Sequence, residues 1–456
     1  MNSIKPIQII SRYYNLTEAP VEDNSNESYE FKEYKEEHGG SVSDRETYRL
    51  PMNDINQYTR TKAGLLRQDF QILKSDNSNI AANENVTITN NLINLYQQIS
   101  YFMNDVEICT CAFIGIKTLV ENLLHFSGDY AESAGSNILW FLDTADTTDT
   151  NEFIYSGNKT IKLKDADITI GQLLENYKRN PNYNKGFAFR REETKNSQLI
   201  SVFIPLEQIF GFFKNVDKVF KGVTQRLDIT KNSNNNIIHT STDEIYKLEI
   251  KYISWYLPVV KPSLSIRGDL EYLFAKGTKN TIYWQESNVY RSIPSRLSEG
   301  TIILCSSQHK PANIYVMFQK DSRRNNRKST EMLFDNLNVE RLQIEVASKR
   351  FPEFPYNFKG GNYRRAYLNF LNAGFKLNCD TGTQLSYNTF KNLYPIFHFD
   401  LTAMEDSVYS NAVAPQILLD YALKEAPTED YVVYTMISNE RIGNISALDG
   451  KISVTT

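Results

Sequence analysis

The sequence predicts an all-β protein built as two tandem antiparallel β-sandwiches, with a few short helices between strands. Three observations carry this. The chain has 456 residues, too long for one ordinary domain and suited to two β domains of about 200 residues each. Its 28 Tyr and 25 Phe stand against only 3 Trp; such a composition favours strands and surfaces where one end of a ring stays wet. Apolar residues alternate with period two in both halves, and the strand–helix–strand rhythm of a parallel sheet is absent.

Taken in order, residues 1–50 read as a polar N-terminal arm. Glu18, Glu22, Asp23, Glu27, Glu30, Glu33, Glu36 and Glu37 lie among Ser, Asn and Gly, so the stretch from 17 to 50 has little to bury. The first sandwich is expected over 51–262. Val86 and Ile88 alternate with Thr; Ile93 to Ile116 is apolar and broken at Met103-Asn104-Asp105, a hairpin signal. Ile161 to Tyr177 reads as a short helix or a strand-to-helix turn. Val202-Phe203-Ile204 is a strand ending at Pro205, after which Leu206, Ile209, Phe210, Phe213 and Val216 recur at helical spacing, with Gly211 weakening the pattern. This predicts a short helix capping the open end of the sandwich. Arg226–Thr230 is a strand and 231–236 a loop. Tyr246, Leu248, Ile250 and Tyr252 share a strand face, and at Ile253 the phase slips to Ile253, Trp255 and Leu257, a bulge signature. Pro258 and Pro262 are expected to end this strand and the sandwich.

The second sandwich, 263–456, repeats the style. Thr301–Leu304 and Asn313–Phe318 read as strands. Leu337 and Val339 give way to Leu342, Ile344 and Val346 in the other phase. Tyr363, Tyr367, Phe370 and Leu371 predict a helix within 362–375, Phe397 and Phe399 a strand, and Tyr431–Ile437 a final strand.

Charge and motif content narrow the function. The net charge of −4 argues against a dedicated nucleic-acid binder, which carries a basic stripe. One basic run, Arg323-Arg324-Asn325-Asn326-Arg327-Lys328, reads as a solvated loop, with a surface facing genome or an acidic neighbour as the sharper alternative. No 18-residue apolar run is present, and Met1–Leu16 lacks the apolar block of a signal peptide, the profile of a soluble intracellular product. Cys109, Cys111, Cys305 and Cys379 are expected as reduced, core or half-buried thiols. No phosphate-cradling glycine loop, nucleophile elbow or paired metal-ligating histidines occur; Gly360-Gly361 reads as a turn. Asp143, Asp146 and Asp149 have the spacing of a calcium loop but lack its central Gly and distal Glu, so a polar surface loop is expected. His398 and Asp400 alternate on one strand face; a hydrogen-bonded pair is expected there, since no nucleophile accompanies them. No catalytic residue, metal ligand or cofactor site is therefore predicted.

Several ordered blocks resemble the double jelly-roll major capsid proteins of Polintons and adintoviruses. Ile204-Pro205-Leu206-Glu207-Gln208-Ile209-Phe210-Gly211-Phe212, then Lys218-Val219-Phe220-Lys221-Gly222 and Gln225–Ile229, is similar to that family's IPL-x-x-IFGF…K-V-x-x-G block. Trp255-Tyr256-Leu257-Pro258-Val259-Val260-Lys261-Pro262 resembles its W-x-x-P-x-V-x-P close of the first jelly roll. Tyr315–Gln319 with Phe334-Asp335-Asn336-Leu337, and Phe399-Asp400-Leu401-Thr402, are further matches; Leu95–Ile108 is a weaker one. The run Ser348-Lys349-Arg350-Phe351-Pro352 departs from the family's Asn and Tyr-Pro, and the acidic arm at 17–50 has no counterpart. The resemblance implies two eight-stranded jelly rolls, a homotrimer of pseudo-hexagonal outline tiling an icosahedral shell, and contacts with penton and minor or cement proteins in the virion. A carbohydrate-binding β-sandwich and a minor vertex protein are the alternatives.

Overall fold

A computed structural model describes residues 25–37, 45–155, 177–277, 279–306, 310–405, 416–446 and 452–455. The short helix or turn expected over 161–177 falls outside them up to residue 176, as do residues 17–24 and 38–44 of the acidic stretch.

The first half is built on two main antiparallel sheets. One runs β10 (Ile200–Pro205), β4 (Leu65–Lys74), β14 (Tyr246–Pro262), β3 (Tyr58–Arg60) and β11 (Val219–Phe220), with β1 (Asn26–Lys35) on the other edge of β14. The other runs β2 (Thr47–Met52), β12 (Gln225–Lys231), β6 (Tyr96–Met103) and β7 (Val106–Ala112). Two small pairs join β5 (Val86–Ile88) to β13 (Ile238–Thr240) and β8 (Phe153–Tyr155) to β9 (Tyr177–Arg179). The second half repeats the plan. Its sheets are β15 (Lys279–Ser292), β22 (Tyr431–Ser446), β17 (Pro311–Lys320) and β20 (Phe397–Asp400), with β23 (Ile452–Thr455) beside β22; and β16 (Glu299–Ser306), β21 (Gln416–Leu423), β18 (Val339–Val346) and β19 (Lys349–Asn357).

Within each half the two sheets close on apolar side chains. Trp255 of β14 meets Tyr101 of β6 edge-on at 6.3 Å. In the second half the Tyr431 hydroxyl of β22 donates to that of Tyr421 on β21 at 3.2 Å. Such cross-sheet packing of inward-facing residues is what a sandwich requires.

Much of the sequence reading holds, and the departures have physical reasons. The β6–β7 hairpin turns at Asn104 and Asp105, both with positive φ (45° and 61°), the two-residue turn whose twist matches the strands. The slip expected at Ile253 falls two residues earlier, between Ile250 and Tyr252, and β18 shifts register twice. Pro258 does not end β14. The strand continues to Pro262, because β1 pairs along 254–262 on one side while Val259 and Val260 face β3 on the other. The polar arm also needs correction. Residues 26–35 form a largely exposed edge strand, and Tyr48 and Leu50 of β2 are fully buried in the first sandwich. Alternation, not net polarity, placed these residues. The helix expected over 206–216 is broken into a 3₁₀ turn, Leu206–Gln208, and a short helix, α2 (Gly211–Asn215), following the longer α1 (Ile114–His125). α2 sets Phe213 on Tyr101 of the first sandwich at 4.8 Å and also packs against β15 of the second half.

Candidate functional site

The chemistry that the sequence hinted at converges on the seam between the two sandwiches, where it is used for joining. At the centre, α1 of the first half carries Lys117 on the same face as Ile114, Val120 and Leu124. Its ammonium donates to the Glu286 carboxylate of β15 at 2.6 Å and to the Ile209 carbonyl at 2.7 Å. Both side chains of the pair are completely buried. Burial pulls the Lys117 ammonium down, and Glu286 with the neighbouring Glu121 more than reverses this, so the net shift is upward. Glu121 is raised by burial, with Lys117 opposing. Alongside, α2 approaches β15 so closely that a Cβ on Gly211 would lie 1.6 Å from the Gln285 carbonyl oxygen. The glycine that weakens the helix is the residue that lets the backbones meet.

A second tie uses the acidic loop and the basic run together. Asp143 is fully buried and pairs with Arg190 at 2.6 Å. Asp146 reaches Arg323 of the second half at 2.8 Å, and Arg323 also forks onto Asp335 at 2.9 and 3.0 Å. Asp149 accepts from the Asn151 N–H and the Asn180 amide, which hold it below the ordinary carboxylate range. The three aspartates therefore face three different partners and do not converge on a cation. The expected polar surface loop is corrected: it is a partly buried clamp. The solvated reading of 323–328 is corrected at Arg323 and holds at Lys328, which is exposed. Arg323 is buried, Arg327 donates to the Glu244 carbonyl and Lys328 pairs with Asp243 at 2.6 Å, all acceptors of the chain itself. Asn90 and the Asp143 carbonyl both bond the Tyr394 hydroxyl (2.8 and 3.2 Å), closing the same region.

His398 and Asp400 share a face as expected, but they do not form the expected hydrogen bond. His398 Nε2 lies 2.9 Å from Asn313 Oδ1, its ring stacks on Tyr315, and burial, opposed by Asp400, lowers its pKa to about 4. Asp400 accepts instead from the N–H and hydroxyl of Thr402 (2.9 and 2.6 Å). No general base is assembled. Cys109, Cys111 and Cys305 are buried, whereas Cys379 is exposed rather than core. Burial pushes the Cys111 thiol up to about 12, far from the reactive range. Among the described residues no cluster of three metal-ligating side chains exists.

Sequence reading missed Lys117, Glu286 and Arg190. The available signal was a charge embedded in an apolar run: Ile114-Gly115-Ile116-Lys117-Thr118-Leu119, Tyr283-Trp284-Gln285-Glu286 and Phe187-Ala188-Phe189-Arg190. Such charges are rarely buried unless paired.

Fold and seam define the class: a tandem of antiparallel sandwiches, locked together by charge and by close backbone packing. The chain belongs to the double jelly roll-like domain family, whose profile matches residues 173–443. Solved structures agree on the fold. A chain from the Sputnik virophage superposes with a TM-score of 0.57 at 10% identity, covering 100% of this chain and 93% of that one. A chain from the PBCV-1 virus capsid gives 0.54 at 9%, covering 96% and 99%. The mavirus major capsid protein gives 0.52 at 11%, covering 100% and 96%. A search among curated proteins finds no match.

Proposed function

We propose that the chain is the major capsid protein of an icosahedral virus and acts as a structural subunit without catalytic chemistry. Three copies form a homotrimer, and trimers tile the shell. The observation that carries the reading is the tandem repetition of two like sandwiches along the chain, each with one sheet of four strands and one larger sheet, in the arrangement shared with capsid chains over nearly their whole length. Three copies of a two-sandwich chain supply six near-equivalent corners, which pack hexagonally with closed symmetry. We assign the first jelly roll to 51–262 together with β1 and β2 of the N-terminal stretch, and the second to 263–456. The virion is then its location, assembled inside the host cell, with penton and minor or cement proteins as further partners. The ordered blocks from Ile204 to Thr402 support placement in the Polinton and adintovirus lineage. A minor vertex protein with one jelly roll fits poorly with two sandwiches.

Mass photometry and electron microscopy of the expressed protein test this. The expected species is three times the 52.6 kDa chain, or shells built from it. Obligate contacts of this kind bury roughly 2,000 Å² or more each. A monomer that persists on concentration would overturn the reading.

A further inference from the structure

The connection from β19 to β20 carries two helices, α3 (Arg364–Ala373) and α4 (Tyr387–Leu393). Between Asn357 and Asn392 the sequence has five basic residues and one acidic residue, Asp380, although the whole chain stands at −4. Folding gathers four of the five around the start of α3. That helix buries Ala366 and Phe370, which leaves Arg364 and Arg365 exposed. The Tyr387 hydroxyl of α4 accepts from the Tyr363 N–H at 3.1 Å, so the two helices meet near their N-terminal ends. Arg364 lies over the Tyr387 ring at 4.8 Å, Lys391 over the Tyr363 ring at 5.9 Å, and Arg365 over the Tyr356 ring at 4.7 Å. Lys391 Nζ also stands 3.5 Å from where a Cβ on Gly361 would lie, in a turn with positive φ at Gly360 and Gly361. Lys359 is exposed on that turn.

We propose that Lys359, Arg364, Arg365 and Lys391 form a docking face for a sulfated polysaccharide. Their charge is uncompensated. Elsewhere surface cations sit on carboxylates, as Arg296 does on Asp430 and Lys320 on Glu429. Here three of the four sit on neutral rings, which hold a cation without cancelling it, and none of the four forms an ion pair with a described residue. Two carboxylates stand nearby: Glu340 is in electrostatic reach of Tyr363, and Asp400, in reach of Tyr356, is engaged by Thr402. Amide donors accompany the cations. Exposed Asn357 and Asn362 each spend their Oδ1 on a backbone N–H, of Lys359 and Arg364, at 3.0 and 3.2 Å. Each amide NH₂ is left to donate to an incoming oxygen. Cations beside amide donors suit a chain rich in both sulfate and hydroxyl oxygens. Nucleic acid fits less well. The three rings at this face lie under cations and give no open platform for bases, and four cations on a chain of net negative charge are few for a duplex backbone. The face lies within one chain, so its binding does not rest on capsid assembly; repeated copies in an oligomer add avidity along one polysaccharide.

The test uses the full chain in its native oligomer. Surface plasmon resonance measures binding to an immobilised heparin decasaccharide, with unsulfated heparosan and a short DNA duplex as comparators. Heparin is expected to bind saturably, more tightly than either comparator, and to weaken with added salt. Arg364→Gln with Arg365→Gln, and Lys359→Gln with Lys391→Gln, are each expected to weaken heparin binding about tenfold, the scale of two exposed charge contacts. A control pair, Arg267→Gln with Lys276→Gln, removes two cations at the helix Leu264–Ala275 and is expected to change affinity by less than about twofold. Circular dichroism checks the fold of each variant, and if one face pair fails to fold the other decides. The proposal is overturned if heparin does not bind, if either comparator binds as tightly, or if a folded face variant binds heparin as the parent does. A control pair that loses as much as the face pairs overturns it too, because net charge and not this face would then be responsible.

Discussion

Of the charged ties that cross the seam, two sit in opposite dielectric settings. Lys117 and Glu286 meet at 2.6 Å with neither side chain exposed. Arg323 and Asp146 meet at 2.8 Å, but the carboxylate is 41% exposed. The distances are nearly the same, so geometry alone would rank the ties as equals. Solvation does not. A dry pair has already lost its hydration, and removing one partner strands a buried charge; a wet pair loses little that water cannot replace. The dry tie therefore makes the halves interdependent, and the wet tie sets their register at small energetic cost.

The largest expected effect is on the dry tie. Lys117→Met should destabilise the protein by about 3–5 kcal/mol, read from urea unfolding, because Glu286 is left buried and unpaired. Lys117→Met combined with Glu286→Leu should recover most of that loss. A single variant as stable as the parent would remove the distinction between the ties.

Acid probes both regions, since one buried histidine stands near each. His239 lies among Asp143, Arg190, Asp146 and Arg323, and His398 lines a cavity between the halves. Burial lowers both to about 4. A depressed histidine contributes stability above its unfolded pKa near 6.5, and loses it as pH falls from about 6.5 to 4. Up to about 3 kcal/mol per histidine is expected at the low end. Glu331, raised to about 7 by burial, acts in the opposite sense over about pH 7 to 4.5 and offsets part of the loss. His239→Gln should flatten the stability profile between pH 6.5 and 4 relative to the parent; an unchanged slope would contradict the assignment.

Gly211→Ala tests packing rather than charge. Its methyl group would collide with the Gln285 carbonyl, so a loss of about 3 kcal/mol is expected, the upper part of the range for overpacking. A gain in Tm would show that helix propensity, which favours Ala, outweighs the contact. The smallest effect is reserved for Asp146→Ala, about 1 kcal/mol or less and fading with added salt. Arg323 keeps Asp335 in that variant. A loss as large as that of Lys117→Met would erase the contrast.

How much was legible follows from the range of the interaction involved. The β6–β7 hairpin was readable because Asn104-Asp105 suits positive φ and both flanking strands are apolar. The helix Arg364–Ala373 and the strands β12, β17 and β20 were readable from their period, a local property. β14 was read correctly up to Leu257 and then cut at Pro258, because pairing with β1 is not visible in the proline itself. α1 was absorbed into a run of apolar residues that suits strand and helix alike. The candidate residues fared worse. Asp143, Asp146 and Asp149 look like one constellation along the chain, yet their partners are Arg190, Arg323 and Asn180, up to 177 positions away.

By itself, the sequence determined the all-β class, the two-part plan, the lack of a recognisable catalytic motif and most strand positions. Those follow from side-chain period and turn chemistry, which act over a few residues. The tertiary structure alone decided that Asp146 of the acidic loop pairs with Arg323 of the basic run. It also decided that Lys117 is buried against Glu286, that Gly211 marks a backbone contact, and that a polar cavity lies between the halves. Each is set by residues far apart in the chain. Which charge is paired, and which is solvated, depends on where the folded backbone brings them and how much water it leaves.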